Sequence, residues 1–309
     1  MGQTTVAVLG ASGMLGSVIV KRLSRNPDLR VLATLRNPSR WEALQSSLPS
    51  VQWRTLDAEQ ADDQVIARAV EGASWVVNAI GIIKPYVKDD KPDQVQRAVR
   101  VNALFPHQLA AAAEKNGFRV VQIATDCVYS GVKGDYAEGD AHDAWDVYGK
   151  TKSLGEVYSP NVFHLRCSII GPETQAHHSL MDWFLGQPPN GSVNGFLNHL
   201  WNGVTTLQFA RLFEGIALSQ PELAHVQHVI PADRIAKADL LASLAENFAR
   251  PDITINRMNA SVAVDRTLVT ARPQANQDLW KRAGYDQPPT TREMVAELSA
   301  FCRKGEDRT

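Results

Sequence analysis

The chain has 309 residues, with 32 lysines and arginines against 33 aspartates and glutamates, and 44% hydrophobic residues. That is an ordinary globular balance with room for a sizeable core, and a formal net charge of -1 excludes the global basic field that would favour nucleic acid or an anionic membrane. Cys127, Cys167 and Cys302 are sparse and widely spaced, which suits free thiols in a reducing compartment; with no signal-peptide pattern and no apolar run of membrane-spanning length, a cytoplasmic location is expected.

Short apolar runs at residues 6–9, 31–35, 51–56, 75–79, 119–124 and 162–167 read as strands. Residues 14–23, 58–70, 95–116 and 148–158 read as helices between and beside them. Buried strands alternating with helices predict an α/β fold, a doubly wound parallel sheet covered on both faces. After Gly171 the texture changes. Residues 172–202 carry prolines, glycines, asparagines, histidines and tryptophans without clean alternation, whereas 237–249 and 290–302 are again helical. Residues 1–171 are expected to form a dinucleotide-binding Rossmann domain. Residues 172–309 are expected to form mainly a smaller substrate-binding domain, with some segments returning to the first.

Gly10, Ser12, Gly13, Met14, Leu15 and Gly16 fall between the first strand and the first helix. Glycines there allow a tight turn and close approach of the backbone to a pyrophosphate, and the helix N-terminus offers unpaired N–H groups. The second strand ends in Thr34-Leu35-Arg36-Asn37-Pro38-Ser39-Arg40, with no carboxylate for a ribose 2′-hydroxyl. Arginine suits a 2′-phosphate, so NADP is the expected cofactor, with Arg36 better placed than Arg40. Asp57 ends the third strand and with Ala58 is expected at the cofactor, where Asp57 reads as an adenine contact, as a helix N-cap, or as both. Asn78, Ala79, Ile80 and Gly81 end the fourth strand, on the carboxyl edge where ligands of such sheets bind.

Tyr148 and Lys152 lie four residues apart on one helical face. An ammonium near a phenol is expected to lower the phenol pKa and to reach the cofactor ribose. Tyr148 then protonates a substrate oxygen as hydride reaches carbon, and Thr125 hydrogen-bonds the same oxygen. A tyrosine and lysine at this spacing are common by chance. Their place after Thr125, the fifth strand and a glycine turn carries the inference. Asp126 is followed by Cys127 and Val128, with no further acid beside it.

These segments resemble dTDP-4-dehydrorhamnose reductases, within the extended short-chain dehydrogenases/reductases. Thr125-Asp126-Cys127-Val128-Tyr129-Ser130-Gly131 is similar to their S-T-D-Y-V-F-x-G, and Tyr148-Gly149-Lys150-Thr151-Lys152-Ser153-Leu154-Gly155-Glu156 to their Y-G-x-[ST]-K-x-x-G-E. Val101-Asn102-Ala103 also matches, which puts Asn102 among the cofactor residues. The resemblance covers most of the N-terminal two-thirds. It implies NADPH-dependent reduction of the C4 ketone of a nucleoside-diphosphate 4-keto-6-deoxy sugar. Epimerase, dehydratase and non-catalytic regulatory relatives are the alternatives, and a homodimer is compatible with the chain.

Thr125, Asp126 and Tyr148 are expected at the sugar. Lys84 stands where the family carries other residues and is taken as a contact specific to this subgroup. Lys84, Arg166 and Arg266 are candidates to neutralise a diphosphate, with solvated surface as the alternative. Trp183, Phe184, Phe196 and Trp201 either stack on the ligand or fill core. Asp143, Asp146 and Glu138 read as loop acids. His177 and His178 have no partner at ligand spacing, so no metal is expected.

Overall fold

The protein is described here by a computed structural model covering residues 2–174 and 179–306. The first half alternates β1 (Thr4–Leu9), α1 (Met14–Leu23), β2 (Leu29–Leu35), α2 (Glu42–Ser47), β3 (Gln52–Thr55), α3 (Asp63–Val70) and β4 (Trp75–Asn78). A helical run then comprises α4 (Pro92–Ala98), a π-helical stretch (Val99–Leu104) and α5 (Phe105–Asn116). After it come β5 (Arg119–Ala124), α6 (Val147–Leu154), β6 (Val162–Arg166), β7 (Ile169–Ile170) and α7 (Leu180–Leu185). The remainder comprises β8 (Ser192–Phe196), β9 (His199–Trp201), β10 (Val204–Thr205), α8 (Thr206–Ser219), β11 (Val226–His228), β12 (Ile235–Ala236), α9 (Lys237–Asn247), β13 (Thr254–Met258), β14 (Val264–Asp265), α10 (Pro273–Arg282) and α11 (Thr291–Glu306).

Seven strands form one parallel sheet in the order β11-β6-β5-β4-β1-β2-β3. Alternation along β1 shows why both faces are covered. Val6 and Val8 point into a core built with α1 and α8, whereas Ala7 and Leu9 point into a second core with α3 and α5. The strand order reverses between β1 and β4, and the carboxyl edge there opens a crevice.

The chain after Gly171 does not stay apart from this sheet. β11 adds a seventh strand beside β6, α8 packs on α1, and α10 and α11 pack on α8. Small two- and three-stranded sheets (β7 with β10, β8 with β13, and β9 between β12 and β14) stand beyond the crevice. Among the described residues, no helix is long and apolar enough to cross a membrane.

The π-helical stretch interrupts the long helix expected over 95–116. Pro106 has no N–H to give the Asn102 carbonyl. Gly155 packs there instead, so closely that an added Cβ would meet the Asn102 oxygen at 2.0 Å.

Candidate active site

The glycine turn closes because residue 16 has no side chain. A Cβ on Gly16 would sit 2.1 Å from the Gly10 carbonyl oxygen, so any larger residue would push α1 off the turn. Among the described residues, no side chain caps α1. Its first N–H groups are therefore open to an anion, and the positive end of the helix favours one. Two adjoining cavities, about 460 Å³ and about 230 Å³, share Ser12, Gly13, Ala79, Ile80, Gly81 and Ile82 as walls. The larger reaches Thr125, Tyr148 and Lys152. The smaller reaches Arg36, Asp57, Ala58, Glu59 and Arg97. An uncapped helix end midway along an elongated trough fits a dinucleotide, with the pyrophosphate on the turn.

Local contacts build the reacting end. Thr125 follows β5 and accepts the Cys127 N–H at 3.2 Å, turning the chain just beyond the sheet. Asp146 caps α6 by accepting the Gly149 N–H at 2.8 Å. Gly149 lets α6 press against the Thr125 turn, since a Cβ there would lie 2.5 Å from the Cys127 oxygen and 2.4 Å from Ala144 Cβ. The Tyr148 side chain thereby comes to line the same cavity as Thr125.

The electrostatics differ from the sequence expectation. Burial raises the Tyr148 pKa, and the neighbouring Cys127, Asp126 and Asp146 add to the rise when ionised, with only Thr125 opposing it. The phenol is held protonated, so the expected lowering by Lys152 is corrected: desolvation wins. The Lys152 ammonium donates to the Ile123 carbonyl at 2.8 Å. Burial lowers its pKa to about 8 against the opposing pull of Glu156. Asp126 is also buried, and desolvation raises its pKa despite Arg266, Thr125 and Lys237.

Residues 4–169, more than half of the chain, match the family described as the RmlD substrate binding domain. The chain belongs to that family. Methionine adenosyltransferase 2 subunit beta of Danio rerio is 23% identical over 261 residues, 80% of this chain and 74% of that protein. A dTDP-4-dehydrorhamnose reductase of Mycolicibacterium smegmatis is 27% identical over 154 residues, 49% of this chain but only 40% of that protein. Among solved structures, a dTDP-4-dehydrorhamnose reductase from Clostridium acetobutylicum aligns with a TM-score of 0.71 at 18% identity, covering 97% of this chain and 100% of the other. UDP-glucuronic acid 4-epimerase from Bacillus cereus, in complex with NAD, gives 0.71 at 16% identity over 99% of each chain. The dTDP-4-dehydrorhamnose reductase of Bacillus anthracis, in complex with NADP, gives 0.70 at 15% identity, covering 97% of this chain and 99% of the other. At these identities the solved structures establish a shared fold.

In this RmlD-domain chain, several residues singled out by sequence lie off the trough. Asn102 is buried in the π-helical stretch, where its amide brackets Ile82, accepting the Ile82 N–H at 2.8 Å and donating to the Ile82 carbonyl at 2.9 Å. It shapes the wall through the backbone. Asn78 does likewise one layer deeper, accepting the Ile80 N–H at 3.1 Å. Arg166 is not at the cleft. Its guanidinium is sunk between Glu156, Tyr129, His142 and His228, with the closest carboxylate oxygen at 2.5 Å, so it has no donors directed at a diphosphate. Trp201 is packed in the core and donates to Ser168 Oγ at 2.9 Å, one layer behind the wall. Lys84 sits on the rim, its ammonium 2.7 Å from Asp146 Oδ2. Asp57 does not cap α3; Asp62 does, at 2.8 Å from the Val65 N–H, while Asp57 Oδ1 accepts the Glu59 N–H.

Phe184 is core, Phe196 lies tilted against His199, and Trp183 is exposed. Arg266 donates to the Tyr129 carbonyl at 2.8 Å. Asp143 and Glu138 serve loops, accepting from Ser130 and from Thr270 respectively. His177 and His178 lie outside the described residues. Sequence reasoning missed Tyr86, Cys167, Ser168, Ile169, Glu173 and Thr174, all of which line the larger cavity. Cys167 to Ile169 directly follow β6, so the strand-end rule that found Thr125 pointed to them as well. Thr174 hydroxyl donates to the Ser12 carbonyl and pins the C-terminal wall to the glycine turn.

Proposed function

We propose that this RmlD-domain chain is an NADPH-dependent reductase of the C4 ketone of a nucleoside-diphosphate 4-keto-6-deoxy sugar. One observation carries the reading: Thr125, Tyr148 and Lys152 line one end of a trough whose middle is an open helix N-terminus. The backbone from Ser12 to Leu15 would hold the pyrophosphate, Lys152 the nicotinamide ribose, and Arg36 the adenosine 2′-phosphate. When bound, the nicotinamide supplies hydride to the carbonyl carbon. Tyr148 donates its proton to the ketone oxygen, a task for which its buried, protonated phenol is suited. Thr125 donates a second hydrogen bond to that oxygen as charge develops. Ile82, Ile83, Ile123 and Ile169 surround these groups with apolar wall, which lowers the local dielectric and strengthens both interactions. The sugar would enter between Tyr86 and the residues after β6, with its nucleotide toward the C-terminal segments.

A second reading takes its support from the relative named as a methionine adenosyltransferase subunit, whose alignment extends over most of this chain. There the trough would bind dinucleotide for regulation and turn nothing over. One experiment separates the two readings: the purified chain is mixed with NADPH and a panel of nucleoside-diphosphate 4-keto sugars, and the loss of NADPH absorbance is followed. Turnover that Tyr148→Phe abolishes supports the reductase. Tight NADPH binding with no turnover of any sugar refutes it and leaves the regulatory subunit. Tightly retained NAD with interconversion of C4 epimers would identify an epimerase.

A further inference from the structure

At the end of the trough away from Tyr148, three charged side chains meet that are distant in sequence. Arg36 follows β2, Glu59 lies in the turn after β3, and Arg97 projects from α4. The Arg36 Nη1 and the Arg97 Nε donate to the same oxygen, Glu59 Oε1, at 3.2 and 2.6 Å. All three line the smaller cavity with Gly10, Thr34 and Asp57. Glu59 is fixed from behind, its N–H held by Asp57 Oδ1 at 3.0 Å. The arginine side chains are 59% and 43% exposed, and that of Glu59 is 24% exposed. Two cations therefore share one partly covered anion at the open trough, while the cavity's other carboxylate, Asp57, is turned to the Glu59 N–H.

We propose that Arg97 is the second half of a two-guanidinium site for the adenosine 2′-phosphate. Glu59 is its internal counter-ion, which keeps both guanidiniums aimed at one point until the phosphate displaces it. The inference rests on the dinucleotide reading above and adds to it a residue that selects between cofactors and one that opposes the selection. A phosphate monoester carries about -1.5 to -2 charges at pH 7 and three acceptor oxygens, enough to engage both forks. A carboxylate offers one charge, and here one oxygen serves both arginines. A ribose 2′-hydroxyl is uncharged and cannot draw the guanidiniums from Glu59. Discrimination between phosphorylated and plain adenosine thus comes from the two arginines and is reduced by the carboxylate that the phosphate must replace.

The test is calorimetric binding of 2′,5′-ADP and 5′-AMP to the full chain, repeated with NADPH and NADH. Arg97→Gln is expected to weaken 2′,5′-ADP by roughly tenfold, as for one lost hydrogen bond to a charged group, and to move 5′-AMP by less than about twofold. Glu59→Gln is expected to tighten 2′,5′-ADP and leave 5′-AMP unchanged. Arg97→Lys, which keeps the charge without the fork, is expected to fall between native and Arg97→Gln. If Arg97→Gln weakens both nucleotides equally or neither, or if Glu59→Gln weakens 2′,5′-ADP, the clamp is wrong while the dinucleotide site stands. If the native chain binds none of the four ligands, the dinucleotide reading falls and takes the clamp with it.

Discussion

The two ends of the trough are built by opposite means. At the Tyr148 end the ionisable groups are desolvated and positioned by short-range backbone devices: the Asp146 cap, the Gly149 contact and the Thr125 turn. At the Arg36 end the charges stay at the surface, and side chains from two loops and one helix hold one another. Burial tunes proton chemistry, because a low dielectric magnifies every charge near the phenol. Exposure suits a phosphate that must be admitted and released. Substitutions should therefore act on rate at one end and on affinity at the other.

Tyr148→Phe offers the largest break in that comparison. The variant should fold and bind NADPH as the native chain does, while turnover falls by about 10²–10⁴-fold, the usual contribution of a general acid. Single-turnover kinetics with direct NADPH titration checks both halves. Retained turnover would remove Tyr148 from the chemistry. Gly149→Ala probes the same end through packing. The added methyl meets Ala144 and the Cys127 carbonyl, and overpacking of this kind is destabilising by about 1–3 kcal/mol. Denaturant unfolding should show that loss together with a fall in kcat, because moving α6 moves the phenol.

At the exposed end, Arg36→Ala should weaken NADPH by roughly 10-fold or somewhat more, in the range of a lost hydrogen bond to a charged group, and leave kcat at saturating cofactor near native. An equal loss for NADH would show that Arg36 acts on something common to both dinucleotides.

The pH dependence sharpens the contrast further. Lys152 is depressed to about 8 by burial, below the unfolded value of about 10.4. Its ammonium is therefore lost as pH rises through 8, and cofactor affinity and rate should decline there. Between those two values the unfolded chain binds more protons at this site than the folded chain, so the group's contribution to stability rises with pH. Relative to Lys152→Met, the native chain should thus gain stability between pH 8 and 10 while its activity falls. Chemical unfolding of both chains across this window measures the difference. A parallel fall in stability and activity would contradict the assignment.

The sequence disclosed the two ends unequally, for the same physical reason. β1, β2, β4, β5 and β6 were legible because buried parallel strands run largely apolar along their length, and the edge strand β3, itself polar and partly exposed, was marked by the buried Val51 and Leu56 that flank it. β11 was not, because Gln227 and His228 are buried polar residues, the Gln227 amide N–H groups donating to Glu138 and Thr270 and the His228 ring meeting the Val269 carbonyl, so no apolar run marks it. Thr125, Tyr148 and Lys152 could be singled out because strand-end position and helical spacing bring them together. Helix ends were misjudged where a cap or a contact decides them. α3 starts after Asp62, and α6 stops where Gly155 meets the Asn102 carbonyl. Arg166 looked like a ligand because its guanidinium suits a diphosphate. Its four partners come from the loop after β5, the turn just past α6 and β11, and no local pattern reveals them. Arg97 and Glu59 were missed because nothing along the chain shows that the loops after β2 and β3 converge with α4.

The smallest expected effect lies on the rim between the two regimes. Asp146 has two tasks: one oxygen caps α6 and the other takes the Lys84 ammonium at 2.7 Å. The Asp146 carboxyl is held below its ordinary pKa, because burial, which alone would raise it, is outweighed by the Gly149 N–H and Lys84. Asp146→Ala should lower stability by about 1 kcal/mol, as other lost N-caps do, and reduce turnover through the displaced start of α6. The Lys84 side chain is 58% exposed, and an exposed ion pair contributes about 0–1 kcal/mol. Lys84→Ala should change stability by no more than that and leave substrate affinity within about twofold. A double-mutant cycle over the two positions should return a coupling near the bottom of that range, falling further with added salt. A tenfold or greater rise in KM for Lys84→Ala, with the stability unchanged, would show the ammonium leaving Asp146 for the substrate and would restore Lys84 to the binding site.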